Sequence, residues 1–239
     1  MPFNVGGYIY NEEQANTQDY YNIITRGLVM HLDASAPSSY PGSGTTWSDI
    51  SGQTNNGTLT NGPTFSTDGG GTIVFDGTND YASINHNSIL NFTTGLSIAS
   101  WYKTTVGVDS YITTKTNDSF YLCVGPTGTT ANKMSFFLNG TSGGWLQSSA
   151  NANSGNWTYV VATWSGGTSS IYLNGVLDNS GTRSGTLQTG TAALYLGYRS
   201  DGAGSYLNGS LGNFQLYNRA LAAAEVLQNY NIQRTRFGV

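Results

Sequence analysis

Apolar and β-branched residues form short runs along this chain, and polar segments rich in glycine and asparagine separate the runs. Several separators are Asn-Gly pairs, which suit the tight type I′ turn of a hairpin because both residues tolerate positive φ. The pattern predicts many short strands at intervals of about 8–15 residues, as in a sandwich or barrel. The predicted strands are Leu28–Leu32, Thr72–Phe75, Ala82–Ile84, Leu96–Lys103, Tyr111–Thr114, Phe120–Val124, Lys133–Leu138, Trp157–Trp164, Ser170–Leu173, Ala193–Leu196 and Leu207–Leu216.

The predicted strand Trp157–Trp164 carries bulky side chains on both of its faces. Such a strand is covered on both sides, so we expect it to lie at the centre of a sheet. Trp101, Trp157 and Trp164 are predicted to fill the gap between two sheets, where each would bury about 150–250 Å².

A helical period is present in one segment, Ala220–Tyr230. Its residues Leu221, Ala224 and Leu227 recur every three positions, which places them roughly on one helix face. A single helix beside so many strands is predicted to be a lid on a sandwich rather than a second layer.

The composition narrows the classes of function. Charged residues make up 9% of the 239 residues, against a usual share of about 25%, and the net charge is -4. A nucleic-acid-binding protein needs a basic stripe, so we expect no nucleic-acid partner. No run of about 18 apolar residues is present to insert in a membrane, and Met1–Gly7 lacks the pattern of a signal peptide. The single cysteine, Cys123, lies in an apolar run and is predicted to be a buried small residue.

Five motifs occur in a fixed order along the chain: Phe75–Tyr81, Leu96–Trp101, Asn156–Ala162, Ile171–Gly175 and Leu207–Leu221. In this order they resemble the motifs of the laminin-G-like, concanavalin A-like jelly-roll family, and the resemblance covers about residues 26–230. It implies an all-β jelly-roll sandwich of two antiparallel sheets with one short C-terminal helix. Lectins, adhesion modules, enzyme accessory domains and virion proteins share this fold, so function must be argued from sites.

The same resemblance divides the chain into three parts. Residues 1–25 form an N-terminal arm, residues 26–232 the laminin-G-like domain, and residues 233–239 a C-terminal tail. The arm contains Tyr8, Tyr10, Tyr20 and Tyr21 but few aliphatic residues. Tyrosine gives a large contact area at low rotamer cost, so these four residues are predicted to serve attachment or assembly. A disordered leader, or a strand paired with the main domain, is the alternative interpretation.

Two further stretches, Gly27–Ser35 and Tyr40–Asp49, together with the ending Ala220–Tyr230, look similar to laminin-G-like proteins of tailed phages, especially marine cyanophages. This similarity implies a non-enzymatic virion structural protein, either a tail fibre or appendage or a capsid decoration protein. It would be made in the host cytoplasm and exposed on the particle, with other virion proteins as partners and a homo-oligomer, preferably a trimer, as its assembly. The alternative is a lectin-like adhesion module that binds a polysaccharide of the host surface.

Catalytic chemistry has little support in the sequence. Glycoside hydrolases use two carboxylates about 5–9.5 Å apart, and related glucanases carry them close together on one strand. Glu12, Glu13 and Glu225 are the only glutamates, and none lies in such a motif. His31 and His86 are the only histidines. They are more typical of a hydrogen-bonded strand residue and a loop residue than of a catalytic triad.

The sequence supports a calcium site better than it supports catalysis. Calcium takes six to eight oxygen ligands, and the loop Asp49–Gly57 is rich in carboxylate, amide and hydroxyl oxygens. Similar loops in the family border calcium sites, and the resemblance implies an acidic residue late in the chain where this sequence has Asn213. The candidate ligands are Asp49, Asn55, Asn56 and Asn213. The second candidate cluster is Asp76, Asn79 and Asp80, and for either cluster the alternative is a set of turns that cap their own backbone.

One tryptophan differs from the others in its surroundings. Trp145 follows Gly143 and Gly144 in a polar region. An exposed aromatic ring at such a position is predicted to stack on a sugar ring, and ordinary packing is the alternative.

Overall fold

The computed structural model describes residues 23–115, 119–201 and 204–239, and the backbone of residues 4–5 and 8–9. One α-helix, α1 (Ala223–Gln233), follows the strands in these ranges. The strands are β1 (Asn4–Val5), β2 (Tyr8–Ile9), β3 (Leu28–Asp33), β4 (Thr46–Trp47), β5 (Gly57–Thr60), β6 (Thr64–Ser66), β7 (Thr72–Asp76), β8 (Tyr81–Ile84), β9 (Gly95–Lys103), β10 (Ser110–Thr114), β11 (Phe120–Val124), β12 (Lys133–Leu138), β13 (Leu146–Asn151), β14 (Thr158–Ser165), β15 (Thr168–Leu173), β16 (Val176–Thr182), β17 (Leu194–Leu196), β18 (Tyr198–Arg199), β19 (Ser205–Tyr206) and β20 (Asn208–Tyr217).

Two large antiparallel sheets form the domain. The front sheet has eight strands in the order β13-β12-β11-β10-β17-β8-β5-β4. The back sheet has the order β16-β15-β14-β9-β20-β7-β6, and β3 also pairs with β20. The predicted all-β sandwich of two antiparallel sheets, with one short C-terminal helix, is therefore confirmed.

The main core lies between the two sheets. In β11, Leu122 and Val124 point into this gap, while Tyr121 and Cys123 point away from it because strand side chains alternate. Trp164 of the central strand β14 is 2% exposed and belongs to this core. Burying a large apolar side chain fully contributes about 1.5–3 kcal/mol, so this inner layer is the main source of stability.

A second apolar layer lies on the outer face of the back sheet, beneath α1. Trp101 and Trp157 belong to this layer and not to the gap between the sheets, so their predicted place was wrong. Trp101 stacks on Phe237 with ring centroids 4.2 Å apart. Central strands of the back sheet are bulky on both faces because the inter-sheet core covers one face and the C-terminal segment covers the other.

The helix begins later than the sequence pattern predicts. Ala220–Ala222 stay outside it, and the backbone N–H of Leu221 donates to the Ser97 hydroxyl at 2.8 Å. The N–H of Ala222 donates to the carboxylate of Glu225, which also pairs with Arg219. The chain is thus tied to β9 first and becomes helical at Ala223.

The last residues, predicted as a separate tail from 233, continue the packed domain. Arg234–Phe237 forms a 3-10 helix directly after α1. Phe237 is buried, and Arg236 donates from Nη1 to both carboxylate oxygens of Asp33 at 2.9 Å. Asp33 itself is 2% exposed, so the C-terminal segment supplies the charge partner of a buried carboxylate.

The N-terminal arm is described only in part. Strands β1 and β2 pair antiparallel. Tyr8 lies in β2, but its side chain is outside the described structure, as are Tyr10, Tyr20 and Tyr21. Their predicted role in attachment or assembly stays a prediction. Within the described ranges, no helix is long and apolar enough to cross a membrane.

Candidate functional site

The outward face of the front sheet contains a continuous row of cross-strand neighbours. Each member is the registered partner of the next, so the row runs perpendicular to the strands from β4 to β12. Six inter-strand steps of about 4.8 Å give it a length of about 29 Å. We call it the outer row, and its members are Thr46, Thr58, Ser83, Tyr195, Thr114, Tyr121 and Phe137.

One end of the outer row is an aromatic group, which we call the tryptophan cluster: Tyr111, Tyr121, Phe137 and Trp145. Phe137 and Trp145 have ring centroids 5.1 Å apart, and Trp145 lies 6.0 Å from Tyr121 in an edge-on arrangement. Tyr111 is fully buried, whereas Phe137 and Trp145 are half-buried. The half-buried rings keep part of their surface on the outer face, held in place by rings below and beside them.

The middle of the row carries the tyrosine cluster: Tyr81, Tyr195, Tyr198 and Tyr206. Tyr198 and Tyr206 stack at 4.7 Å, and Tyr81 lies 5.3 Å from Tyr198 and 5.8 Å from Tyr195. All four are half-buried. Aromatic pairs of this kind contribute about 0.5–1.5 kcal/mol beyond burial, so ring stacking stabilises this partly exposed cluster.

Arg199 joins the two clusters. Its guanidinium lies 5.5 Å from the ring centre of Tyr111 and 5.9 Å from that of Tyr121, and Nη1 donates to the Tyr111 hydroxyl at 3.0 Å. Nε donates to the carboxylate of Asp201 at 2.8 Å, completing an ion pair. The positive charge at the centre of the face is therefore already balanced by a carboxylate.

The electrostatics keep the face close to neutral. Burial raises the pKa of Tyr111, and burial together with neighbouring tyrosines raises the pKa of Tyr198, so both phenols stay protonated at neutral pH. Burial alone would lower the pKa of Arg199, but the hydrogen bond that it donates to Asp201, together with its interactions with Tyr111 and the Asp201 charge, outweighs this and raises the pKa. The face therefore offers rings, hydroxyl donors and a paired guanidinium.

Sequence reasoning found only one member of this face. Trp145 lies at its end, as a predicted sugar-contacting ring should, although its role there stays a prediction. The other rings were missed, and a signal was available: in β11, β12 and β17 the outward positions of the alternation are Tyr121, Phe137 and Tyr195. Outward aromatic residues in neighbouring strands indicate a surface platform.

The predicted calcium loop is held together by its own hydrogen bonds. Asp49 Oδ1 accepts from the backbone N–H groups of His31 and Ser51, and Oδ2 accepts from the Ser51 hydroxyl and the N–H of Asn55. Asn56 Oδ1 accepts from the N–H of Asp49. This is the self-capping arrangement of the alternative interpretation.

The fourth candidate ligand has different partners. Asn213 is fully buried in β20, where its Oδ1 accepts from the N–H of Trp101 and its Nδ2 donates to Gln233. Asp49, Asn55 and Asn56 thus form one loop cluster that Asn213 does not complete. Within the described ranges, no group of three or more His, Cys, Asp or Glu side chains is arranged to hold a metal.

The second candidate cluster also caps backbone. Asp76 Oδ1 accepts from the N–H groups of Thr78 and Asn79, and these hydrogen bonds lower the pKa of the Asp76 carboxyl. Asp80 accepts from the N–H of Asp76, while burial raises its pKa. A calcium ion at either cluster stays a prediction.

His31 and the described glutamate have structural partners. His31 is 4% exposed and lies 3.4 Å from the side-chain nitrogen of Gln215. Glu225 is paired with Arg219. Glu12 and Glu13 fall outside the described residues. His86 lines a cleft at the far end of the front sheet. Glu225, the one described glutamate, is therefore paired with an arginine and not with a second carboxylate.

The sandwich and its motifs define a laminin-G-like jelly-roll domain. Residues 76–227 match a family model described as the concanavalin A-like lectin/glucanases superfamily. The match covers more than half of the chain, and the protein belongs to this superfamily. A comparison with curated protein sequences gives no match.

Solved structures share the fold at low sequence identity. The binding domain of Paraclostridial Mosquitocidal Protein 1 aligns with a TM-score of 0.68 at 15% identity, over 86% of this chain and 52% of that one. Domain 4 of AbnA, a GH43 extracellular arabinanase from Geobacillus stearothermophilus solved with arabinotriose, aligns with a TM-score of 0.67 at 18% identity, over 85% and 98%. The binding domain of botulinum neurotoxin serotype G gives 0.63 at 16% identity, over 86% and 51%. The chain spans about half the length of these toxin domains but nearly all of the arabinanase domain.

Proposed function

We propose that this protein is a glycan-binding, lectin-like module and that the outer row of the front sheet is its binding surface. The observation that carries the proposal is the row itself, which joins the tryptophan and tyrosine clusters on one face. The α1 helix covers the back sheet. In residues 23–115, 119–201 and 204–239 no second α-helix lies on the front sheet. The β18–β19 pair packs against β10 and buries Thr114 of the outer row, so a ligand would contact the row on either side of Thr114.

The chemistry of the face suits neutral sugars. The C–H faces of a pyranose or furanose ring pack on aromatic rings such as Trp145 and Tyr195, and phenol and hydroxyl groups bond the sugar hydroxyls. Thr58 and Ser83 place two aliphatic hydroxyls in the same row. Because Asp201 balances Arg199, the described part of the face has no unpaired arginine to favour an acidic sugar over a neutral one.

Relatives in structure support this class of ligand. Domain 4 of the arabinanase was solved with an oligosaccharide, arabinotriose, and it matches this chain along nearly its full length. At 18% identity this likeness concerns the fold, so it supports the proposal without assigning the sugar.

We propose that the protein is not an enzyme. Two of the aligned structures are binding domains of toxins, and the third is domain 4 of an arabinanase. The described carboxylates of Asp49, Asp33 and Glu225 are engaged by backbone N–H groups or by arginine. Incubation with a panel of neutral polysaccharides should release no reducing ends, and turnover that disappears in a single Asp→Asn variant would contradict this.

We further propose that the module is carried on the virion of a tailed phage, in a tail fibre, an appendage or a capsid decoration, where it contacts a host surface glycan. The phage-like stretches Gly27–Ser35 and Tyr40–Asp49 support this placement. The arm, residues 1–25, would then attach the domain to other virion proteins or to two further copies in a trimer. Ile23 is buried and the N–H of Ile24 donates to Asn229, so the test truncation stops before them. Deleting residues 1–22 should leave the β circular-dichroism signal intact and abolish oligomer or particle incorporation. Normal assembly of the truncated chain would contradict the attachment role.

Glycan binding is tested with a carbohydrate microarray, followed by calorimetric titration of the best ligand. Trp145→Ala removes the outermost ring of the tryptophan cluster and should weaken binding about tenfold, equivalent to about 1.4 kcal/mol. Phe65→Ala is the matched control, because Phe65 is a half-buried aromatic residue of β6 in the back sheet. Equal affinities of the two variants and the unmodified chain would refute the proposed surface.

A further inference from the structure

A polar cleft of about 410 Å³ lies where β4, β5 and β8 meet at the end of the front sheet. Its volume falls within the roughly 300–1,000 Å³ of small-molecule pockets. It lies beside the predicted calcium loop and shares Asn55 and Asn56 with it. The residues that matter for the argument are Thr46, Thr54, Asn56, Thr58, Asn85 and His86.

A buried polar atom in this cleft has no partner in the described chain. His86 Nδ1 is shielded from solvent and makes no hydrogen bond there. Buried polar atoms are nearly always paired, so this nitrogen is available to a hydroxyl group that enters the wall of the cleft.

A strained backbone position lies in the same wall. Thr54 has φ of +57°, a left-handed conformation that a β-branched residue adopts only as an outlier. Hydrogen bonds of the next residue hold it: Asn55 donates its N–H to Asp49 and its side-chain amide to the carbonyl of Val29. Strain that the surroundings impose on a non-glycine residue clusters at binding sites.

The lining determines what the cleft can hold. Its side chains are amides of asparagine, hydroxyls of threonine, the imidazole of His86 and the apolar wall of Ile84, and it contains no carboxylate, lysine or arginine. Amide, hydroxyl and imidazole groups donate and accept hydrogen bonds, but without a charged side chain they do not favour a charged ligand. A neutral, hydroxyl-rich ligand of the size of one sugar residue matches this chemistry.

The cleft is continuous with the outer row. Thr46 and Thr58 line the cleft and are also the first two members of that row. Thr58 pairs with Ser83, and Ser83 pairs with Tyr195, so the cleft lies two strands, or about 10 Å, from the tyrosine cluster.

We propose that the cleft is a second subsite, which holds one neutral sugar residue at the end or on a branch of the glycan whose body lies on the aromatic clusters. This inference deepens the proposed function and rests on it. The tyrosine and tryptophan clusters bind by stacking, whereas the cleft binds by hydrogen bonds and selects for uncharged hydroxyl groups.

The test is nuclear magnetic resonance of the full chain with methyl glycosides of glucose, galactose, mannose, arabinose and N-acetylglucosamine, and with methyl glucuronide as the charged probe. At least one neutral glycoside should shift the backbone amides of Thr54 and Thr58 and the ring of His86. The glucuronide should shift them less. A glucuronide that binds the cleft better than every neutral probe would overturn the ligand class.

Two variants of the lining test the cleft separately, so that a folding defect in one of them does not decide the result. His86→Leu removes the unpaired nitrogen, and Asn85→Ala removes an exposed amide of the lining; each should weaken binding of a longer neutral oligosaccharide about three- to tenfold. Asn156→Ala is the matched control, because it removes an exposed amide just before β14 in the back sheet.

The outcomes separate the two proposals. Shifts at Tyr195 and Tyr198 with none at Thr54, Thr58 or His86 would overturn the second subsite and support the aromatic face. Shifts in the cleft with none on the aromatic rings would overturn the proposed face and leave the cleft as the sugar site. Absence of shifts at both places would overturn both.

Discussion

Arg236 should be the largest single contributor to stability outside the apolar core. Its guanidinium donates to both carboxylate oxygens of Asp33 and to the backbone carbonyls of Gly71 and Gly212. It also lies 4.5 Å from the ring centre of Phe237. Arg236→Ala removes all of these contacts and leaves the Asp33 carboxylate buried without its charge partner.

The expected loss follows from the burial of Asp33. Removing one partner of a buried ion pair costs about 3–5 kcal/mol, because the other charge stays in a medium of low polarity. For a chain of this size, about 2–4 °C is lost for each kcal/mol, so the melting temperature of Arg236→Ala should fall by about 6–20 °C. Arg236→Lys should recover part of this loss, since lysine keeps the charge but not the two parallel hydrogen bonds.

Urea unfolding followed by near-ultraviolet circular dichroism measures the difference, because Trp101 and Trp157 report on packing beneath α1. Arg234→Ala is the matched control, an exposed arginine two residues earlier in the same 3-10 helix. A loss below about 1 kcal/mol for Arg236→Ala, equal to that of the control, would refute the conclusion that the C-terminal segment belongs to the packed domain.

Three further predictions follow from buried groups and from the oxygen-rich loop. Burial lowers the pKa of His31 below its ordinary value of 6.5, so folding favours the neutral ring. The contribution of this residue to the free energy of unfolding should therefore be full above pH 6.5 and should fall as the pH drops below it. Urea titrations at pH 7.5 and 5.5 measure this dependence, and His31→Asn should flatten it. Burial raises the pKa of the Cys123 thiol well above its ordinary value, so a thiol-specific reagent should react only after unfolding, and fast labelling of the native chain would contradict its burial in β11. Millimolar calcium should raise the melting temperature modestly relative to EDTA, since a hundredfold excess over Kd adds about 2.7 kcal/mol to the free energy of unfolding. An unchanged melting temperature would eliminate the site at Asp49.

The two-sheet fold could be predicted because its signals are local. Alternation within β9, β11, β12 and β14 identifies strands without knowledge of their neighbours, and the five motifs place them in a known order. The placement of Trp101 could not be predicted in this way, since a central strand that is bulky on both faces has two buried sides. Trp101 lies on the side that the C-terminal segment covers, where it stacks on Tyr230 and Phe237, both more than a hundred residues later in the chain.

Most of the candidate site could not be predicted either, because it also depends on contacts between residues far apart in the chain. Tyr81 and Tyr195 lie far apart in the chain and meet only because β8 and β17 are neighbours in the front sheet. Trp145 could be singled out because its glycine-rich surroundings are visible in the sequence. Asn213 shows the opposite case: a plausible ligand by motif proved to be a buried amide bonded to Trp101 and Gln233.

The dependence of affinity on ligand length tests the central claim most directly. If one glycan lies along the outer row, affinity in calorimetric titrations should rise with each added sugar residue until the ligand spans about 29 Å. Trp145→Ala and Tyr195→Ala, at separate places on the row, should then each weaken the longest ligand, whereas a disaccharide should be affected by only one of them. An affinity that stops rising at the disaccharide, with the longest ligand insensitive to either variant, would contradict binding along this face.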